Sequence, residues 1–226
     1  MRIAEIFHSV QGEGMLMGMP SVFVRTSGCN LRCHFCDTPY TSWNPEGENL
    51  ELQRVMERVT EYRCSHAVVT GGEPMIAPQI EELCKLLKAE QHHITIETAA
   101  TIFKPIQADL ISLSPKLANS TPAVSTGWAE RHERDRINIP VIRQFLETYE
   151  CQFKWVIDQP SDIDEVEQIL AQLPVVPKER LFLMPQAVDI ATLAEKGRWI
   201  AEMCKQKGYR FGPRLHIDLW GHTRGT

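Results

Sequence analysis

His66-Ala67-Val68-Val69-Thr70-Gly71-Gly72-Glu73-Pro74 is an apolar, β-branched run cut short by a glycine pair and a proline. Residues 66–70 read as a strand, and Gly-Gly-Glu-Pro as its exit turn. Beyond it, 80–89 reads as a helix and 93–97 as the next strand. Strand, helix, strand in that order is the unit of a parallel sheet with right-handed crossovers. The alternation continues on both sides. Upstream, 21–25 is expected as a strand and 50–62 as a helix, with Leu52, Val55, Met56 and Val59 at helical spacing. Downstream, strands are expected over 109–114, 153–157 and 180–184, helices over 163–173 and 193–207, and a last strand over 214–219. A complete eight-stranded (β/α) barrel takes about 250 residues. The 226 residues here fit an α/β fold of one domain over 1–226, a truncated TIM-like (β/α) barrel of about six parallel strands.

Apolar residues are 43% and charged residues 23% of the chain, which excludes disordered, collagen-like and coiled-coil classes. No stretch approaches the roughly 18 consecutive apolar residues of a membrane span. The start, Met1-Arg2-Ile3-Ala4-Glu5, has no apolar signal core. A cytoplasmic protein with no membrane partner is expected. The net charge of -5 argues against nonspecific nucleic-acid binding, so no nucleic-acid partner is expected.

In (β/α) barrels the chemistry sits at the C-terminal ends of the strands. Cys29, Gly71 to Glu73, Glu97-Thr98, Ser114 to Lys116 and Met184 to Gln186 all follow expected strands, so they should meet at one mouth. The polar stretch 117–139 breaks the alternation, and a lid and a mobile solvated loop are equally good readings of it. Seven cysteines without a secretion signal do not form a disulfide framework. Cys64, Cys84, Cys151 and Cys204 are scattered and read as small core residues. Cys29, Cys33 and Cys36 are different: C-x3-C-x2-C on a loop after a strand can wrap one face of a metal centre. Structural zinc takes four closed ligands, and a fourth would have to come from His34 or a distant cysteine, none of which is placed in a C-x2-C pair. A [4Fe-4S] cluster held by three thiolates leaves one iron open. The glycines at 71–72 read as letting backbone approach a ligand, and Glu73 as an exposed acceptor for an ammonium group.

C-x3-C-x2-C followed by Thr70-Gly71-Gly72-Glu73-Pro74 resembles the radical S-adenosylmethionine (SAM) superfamily. Within it, Glu5 to Gly14, Gly18-Met19-Pro20, Phe23-Val24-Arg25 and Cys36 to Tyr40 resemble the 7-carboxy-7-deazaguanine synthases. Ser114-Pro115-Lys116, Met184-Pro185-Gln186 and Leu215 to Gly221 extend the likeness over nearly the whole chain. The resemblance implies a Mg2+-assisted ring contraction of 6-carboxy-5,6,7,8-tetrahydropterin to 7-carboxy-7-deazaguanine, with loss of ammonia and with SAM used catalytically, in 7-deazapurine and queuosine synthesis. It implies a homodimer and an electron donor such as flavodoxin or ferredoxin.

Its site residues carry over as follows. Cys29, Cys33 and Cys36 hold the cluster and Thr38 the magnesium. Phe35, Cys36, Asp37, Gly72, Glu73, Ser114, Pro115, Lys116, Met184, Pro185, Gln186 and Ala187 contact SAM. Val10, Gln11, Gly12, Arg25, Thr70 and Thr226 contact the substrate, the Arg25 guanidinium suiting a carboxylate. The residues themselves add Glu13 for the N–H edge of a pterin and Glu97 for the ribose hydroxyls of SAM. His216 and His222 read as surface residues, and Trp155, Trp199 and Trp220 as packing. Two rivals stand beside this reading: an activase of glycyl-radical enzymes, and a non-enzymatic zinc module.

Overall fold

The computed structural model describes residues 1–226. One nine-stranded sheet in the order β3-β1-β2-β4-β5-β6-β7-β8-β9 forms the frame. It begins with β1 (Arg2–Val10), antiparallel to β2 (Pro20–Thr26) and to the two-residue β3 (Glu48–Asn49). From β2 onward every pairing is parallel: β4 (His66–Gly71), β5 (His93–Thr98), β6 (Leu110–Leu113), β7 (Cys151–Ile157), β8 (Leu181–Pro185) and the short β9 (Arg210–Phe211). The helices are α1 (Pro39–Ser42), α2 (Leu52–Thr60), α3 (Ile80–Ala89), α4 (Ala129–Asp135), α5 (Ile139–Thr148), α6 (Asp162–Leu170), α7 (Ile190–Lys207) and α8 (Leu215–Trp220). The result is the truncated (β/α) barrel, with the six expected parallel strands and a two-residue seventh at the edge.

The period-2 geometry of strands sorts the residues. Val69, Ile96, Ile111, Phe153, Trp155 and Leu183 point to one face and form the main core with Leu83 of α3, Phe145 of α5, Val166 of α6 and Ile200 of α7. Alternate residues Thr70, Thr95, Ser112, Gln152 and Lys154 are also buried, but they are polar. An apolar layer thus covers one side of the sheet, while the concave side is wet and charged. No helix is long and apolar enough to cross a membrane.

Two expectations are corrected. Residues 214–219 form α8, not a strand. Leu215, Ile217 and Leu219 alternate as a strand would, but β9 already occupies that edge of the sheet, and of the helix only Ile217 is buried. The stretch 117–139 is neither a lid nor a solvated loop. It holds two 3-10 turns and α4, and Leu117, Ser120, Ala129, His132 and Arg136 are buried. Helix α5 and strand β1 had gone unread. Cys84, Cys151 and Cys204 are buried, as their apolar settings implied, but Cys64, just before β4, is only half-buried rather than in the core. Trp155 is buried too, but Trp220 is exposed.

Candidate active site

The parallel strands and the exit of β1 surround a cavity of about 440 Å3. The cysteine loop forms one wall. It leaves β2 through Gly28, whose N–H donates to Thr41 O at 2.9 Å and whose carbonyl accepts from Glu73 N at 2.9 Å. The turn after β4 packs directly on this stretch. A Cβ at Gly71 would strike Thr26 O, and one at Gly72 would strike Gly28 O and come within 2.7 Å of Thr41 O. The glycine pair therefore serves backbone-on-backbone packing beneath the cysteines, and both glycines also line the cavity.

Leu31, buried, pins the loop. The Arg32 side chain donates to Cys29 O and Leu31 O at 2.7 and 2.8 Å, and Trp43 Nε1 to Cys33 O at 2.9 Å. The loop's other support is the segment 117–136. Arg32 N–H donates to Nδ1 of buried His132 at 3.0 Å, His132 Nε2 meets Ser120 Oγ at 2.9 Å, and Trp128 stacks on the Arg32 guanidinium. Cys29, Cys33 and Cys36 are all unpaired thiols on the cavity wall. Burial and the neighbouring negative groups push the Cys29 thiol up to about 12. Burial, opposed by Lys116, pushes Cys33 up to about 11. These thiols ionise only against a strongly cationic partner, as an iron–sulfur centre provides. No three His, Cys, Asp or Glu side chains converge as they would around a single metal ion. Three thiolates from one loop fit a [4Fe-4S] cluster with one iron left open. The Thr38 hydroxyl makes no capping bond to α1, though it is the residue before that helix. It accepts from Thr41 Oγ1 at 3.3 Å, meets Cys36 Sγ at 3.9 Å and faces the cavity, which fits an oxygen ligand for Mg2+.

The opposite wall is built around charge. Lys154 on β7 donates to Glu13 Oε2 and to Glu97 Oε1, both at 2.9 Å. Arg214 donates to Glu13 Oε1 at 3.1 Å, to Ala187 O at 2.8 Å and to Asp37. Gln11 Nε2 and Thr70 Oγ1 also donate to Glu97. Burial alone would raise Glu13, but the Lys154 ammonium and the Arg214 guanidinium hold it far below the usual carboxylate range. The same balance, with Lys154 the main cation, holds Glu97 down. Arg25 uses Nε on Glu5 at 2.8 Å. Its two Nη groups have no partner in the chain and face the cavity beside the stacked Phe7 and Phe23 rings.

Of the sequence candidates, Val10, Gln11, Gly12, Glu13, Arg25, Cys29, Cys33, Phe35, Cys36, Asp37, Thr38, Thr70, Gly72, Glu97, Ser114, Lys116, Met184, Pro185, Gln186 and Thr226 line this one cavity. Glu73, Pro115 and Ala187 do not. Glu73 is fully buried, not exposed: it accepts from Met75 N, Thr98 Oγ1 and Ala99 N. Glu97 accepts from Gln11, Thr70 and Lys154, and the 114–116 loop joins the same strand end through Ser114 N–H donating to Thr98 O at 2.8 Å. His216 and His222 are not plain surface residues, since both line the cavity. A Cβ at Gly12 would collide with the His216 ring, so that glycine is required for close packing.

Lys154 and Arg214 also line the cavity and lie outside the sequence candidates. The signal for Lys154 was available: a lone charge in Phe153-Lys154-Trp155-Val156-Ile157 must be partnered if that strand is buried.

Comparison with known proteins agrees with this layout. The family model for the radical SAM superfamily matches residues 23–124. The 7-carboxy-7-deazaguanine synthase of Halobacterium salinarum is 41% identical, over 99% of this chain and 92% of that protein. The one from Rhodopirellula baltica is 40% identical, over 99% and 88%. Among solved structures, QueE from Escherichia coli superposes with a TM-score of 0.72 at 23% identity, covering 95% of this chain and 94% of that one. Streptococcus suis SuiB bound to S-adenosylmethionine superposes at 0.56 and 17%, over 82% of this chain and 48% of that one. Full-length identity at this level, on a barrel whose cavity gathers the cysteine triplet and the acidic substrate wall, places the chain in the 7-carboxy-7-deazaguanine synthase family of radical SAM enzymes.

Proposed function

We propose that this chain converts 6-carboxy-5,6,7,8-tetrahydropterin to 7-carboxy-7-deazaguanine with release of ammonia, as a step of 7-deazapurine and queuosine synthesis. The observation that carries the reading is the convergence, in one cavity, of Cys29, Cys33 and Cys36 with Gln11, Glu13, Arg25, Thr38 and Thr70. Cys29, Cys33 and Cys36 would hold a [4Fe-4S] cluster, which with SAM would supply one-electron radical chemistry. The residues of the chain hold the reactants around it. The free Nη groups of Arg25 take the substrate carboxylate, a bidentate match. Thr38 would offer its hydroxyl to Mg2+, which would supply electrostatic support for an anionic substrate. Glu13 accepts from the N–H edge of the pterin. Gly72, Ser114, Lys116, Met184 and Gln186 line the side assigned to SAM, with Phe35 and Asp37 at the rim of the cysteine loop.

The family resemblance supports a cytoplasmic homodimer, a single domain over 1–226, and a flavodoxin- or ferredoxin-type reductant. Nothing in the geometry favours the glycyl-radical activase or the zinc module over this reading.

The test is anaerobic. Reconstituted protein is assayed for iron and sulfide, then incubated with SAM, dithionite, Mg2+ and the carboxytetrahydropterin. About four irons per chain are expected, with 7-carboxy-7-deazaguanine accumulating and no matching loss of SAM. A cluster that cleaves SAM without forming this product overturns the substrate assignment. Zinc without a cluster overturns the enzyme itself.

A further inference from the structure

Lys154 is 4% exposed and stands on the concave side of β7. An ammonium taken this far from water persists only among anions. Its two partners, Glu13 and Glu97, lie 141 and 57 residues away in sequence, so only the fold brings them together. Their acceptor sites can be counted. A carboxylate offers roughly four lone-pair sites. Glu13 spends two, on Lys154 and Arg214. Glu97 spends three, on Lys154, Gln11 and Thr70. Both carboxylates line the cavity with acceptor capacity to spare.

Two carboxylates this close cannot both stay ionised without a cation between them. The charged or polar groups facing the pair are Lys154 from β7, Arg214 and His216 from α8 and its approach, Gln11 from the exit of β1, Thr70 from β4, and Asp37 from the cysteine loop. Of these, Lys154 alone touches both carboxylates.

We propose that Lys154 is a positioning residue of the substrate site. It clamps Glu13 and Glu97 into one doubly ionised acceptor surface that reads adjacent N–H donors, as on the 2-amino-pyrimidinone edge of a pterin. The inference rests on the functional reading above and deepens it. Lys154 performs no step of the reaction. It fixes the charge and spacing of the two groups that orient the substrate, and holding both below the usual carboxylate range is the electrostatic side of that role.

The test is a binding measurement that needs no turnover. The fluorescence of 6-carboxypterin, an oxidised and unreactive relative of the substrate, is titrated with wild type, Lys154→Met, Lys154→Arg and the double variant Lys154→Met/Glu97→Gln, from about pH 5 to about pH 8. Wild-type affinity should vary little over this range. Lys154→Met should bind at least about tenfold more weakly. Its affinity should climb with pH, because one proton is now shared by the two acids. Lys154→Arg should recover part of the loss, since charge returns in a different shape. A merely structural lysine would lower folded yield and iron uptake without creating a pH-dependent affinity.

Folded Lys154→Met that matches wild type at every pH overturns the inference. If that variant does not fold, the double variant decides, because it removes one charge of each sign. Weak, pH-independent binding supports the clamp, and wild-type affinity overturns it. Wild type that binds no pterin overturns the functional reading, and the inference with it. Wild type that binds, with all variants equal to it, overturns the inference alone.

Discussion

Glu73 and Glu97 are both strand-end carboxylates, and their surroundings give them opposite characters. Glu73 makes no ion pair, and Lys116 opposes its burial only from a distance. Burial pushes its carboxyl up, and three donors of its own chain tie down the end of β5. Glu73→Gln replaces one acceptor oxygen with a donor, leaving a buried N–H or hydroxyl unsatisfied. That should lower stability by roughly 1–3 kcal/mol, read by urea unfolding, while SAM affinity of the reconstituted protein changes little. A large loss of SAM affinity at unchanged stability would restore Glu73 as a ligand contact. Glu97 is held below its ordinary value of 4.5 by Lys154, against the effect of burial. An acid with a depressed folded pKa stabilises above its unfolded pKa and loses that contribution as pH falls. The melting temperature should therefore be flat above about pH 5 and fall below about pH 4.5, and Glu97→Gln should have a shallower acid limb. Equal acid limbs in thermal melts of the two proteins would refute the assignment.

At the scale of elements, legibility follows the range of the interactions. Parallel strands buried by helices read as short apolar runs, so β2, β4, β5, β7 and β8 could be seen in sequence nearly to the residue. Helix α8 imitates a strand because Leu215, Ile217 and Leu219 alternate, and only the occupied sheet edge decides against it. The stretch 117–136 looked solvated because its polar partners are remote: His132 answers Arg32, 100 residues earlier. Likewise Arg214 meets Glu13 across 201 residues. No local pattern encodes such pairs. The role of this segment makes a prediction. His132→Ala removes the acceptor for the Arg32 amide and opens a buried hole, so iron incorporated on anaerobic reconstitution should fall well below one cluster per chain. His132→Asn keeps a carbonyl oxygen in reach of that amide and should lose less. Iron content and thermal melts measure both, and full iron in the alanine variant would show that the cysteine loop stands without this support.

Across the whole molecule, an open barrel leaves a side of its cavity uncovered, and the C-terminal segment lies there. His222 Nε2 donates to Asp37 O at 2.9 Å, and Thr223, Arg224, Gly225 and Thr226 line the opening. Arg224 anchors the segment. It pairs with Glu5 across 219 residues and with Glu46, and it stacks on Tyr40 with 4.0 Å between guanidinium and ring centre. Glu5 is the common post, since it also accepts from Arg25 and from the Tyr40 hydroxyl at 2.9 Å. The tail and the proposed carboxylate-binding arginine thus share one half-buried anion. Arg224 is half-exposed, and exposed ion pairs contribute up to about 1 kcal/mol each, so Arg224→Gln should barely change global stability. Its effect should be local. Amide exchange over 221–226 should accelerate, because those hydrogen bonds open without unfolding the sheet. The KM for the carboxytetrahydropterin should rise severalfold with a smaller change in kcat, because the site closes less often around its ligand while the arrangement that reacts is unaltered once formed. Arg224→Lys, which keeps the charge but not the planar stack on Tyr40, should fall between the two. Unchanged exchange in the tail of Arg224→Gln would show that the segment is held by His222 and its own turn, and that the arginine is only a surface pair.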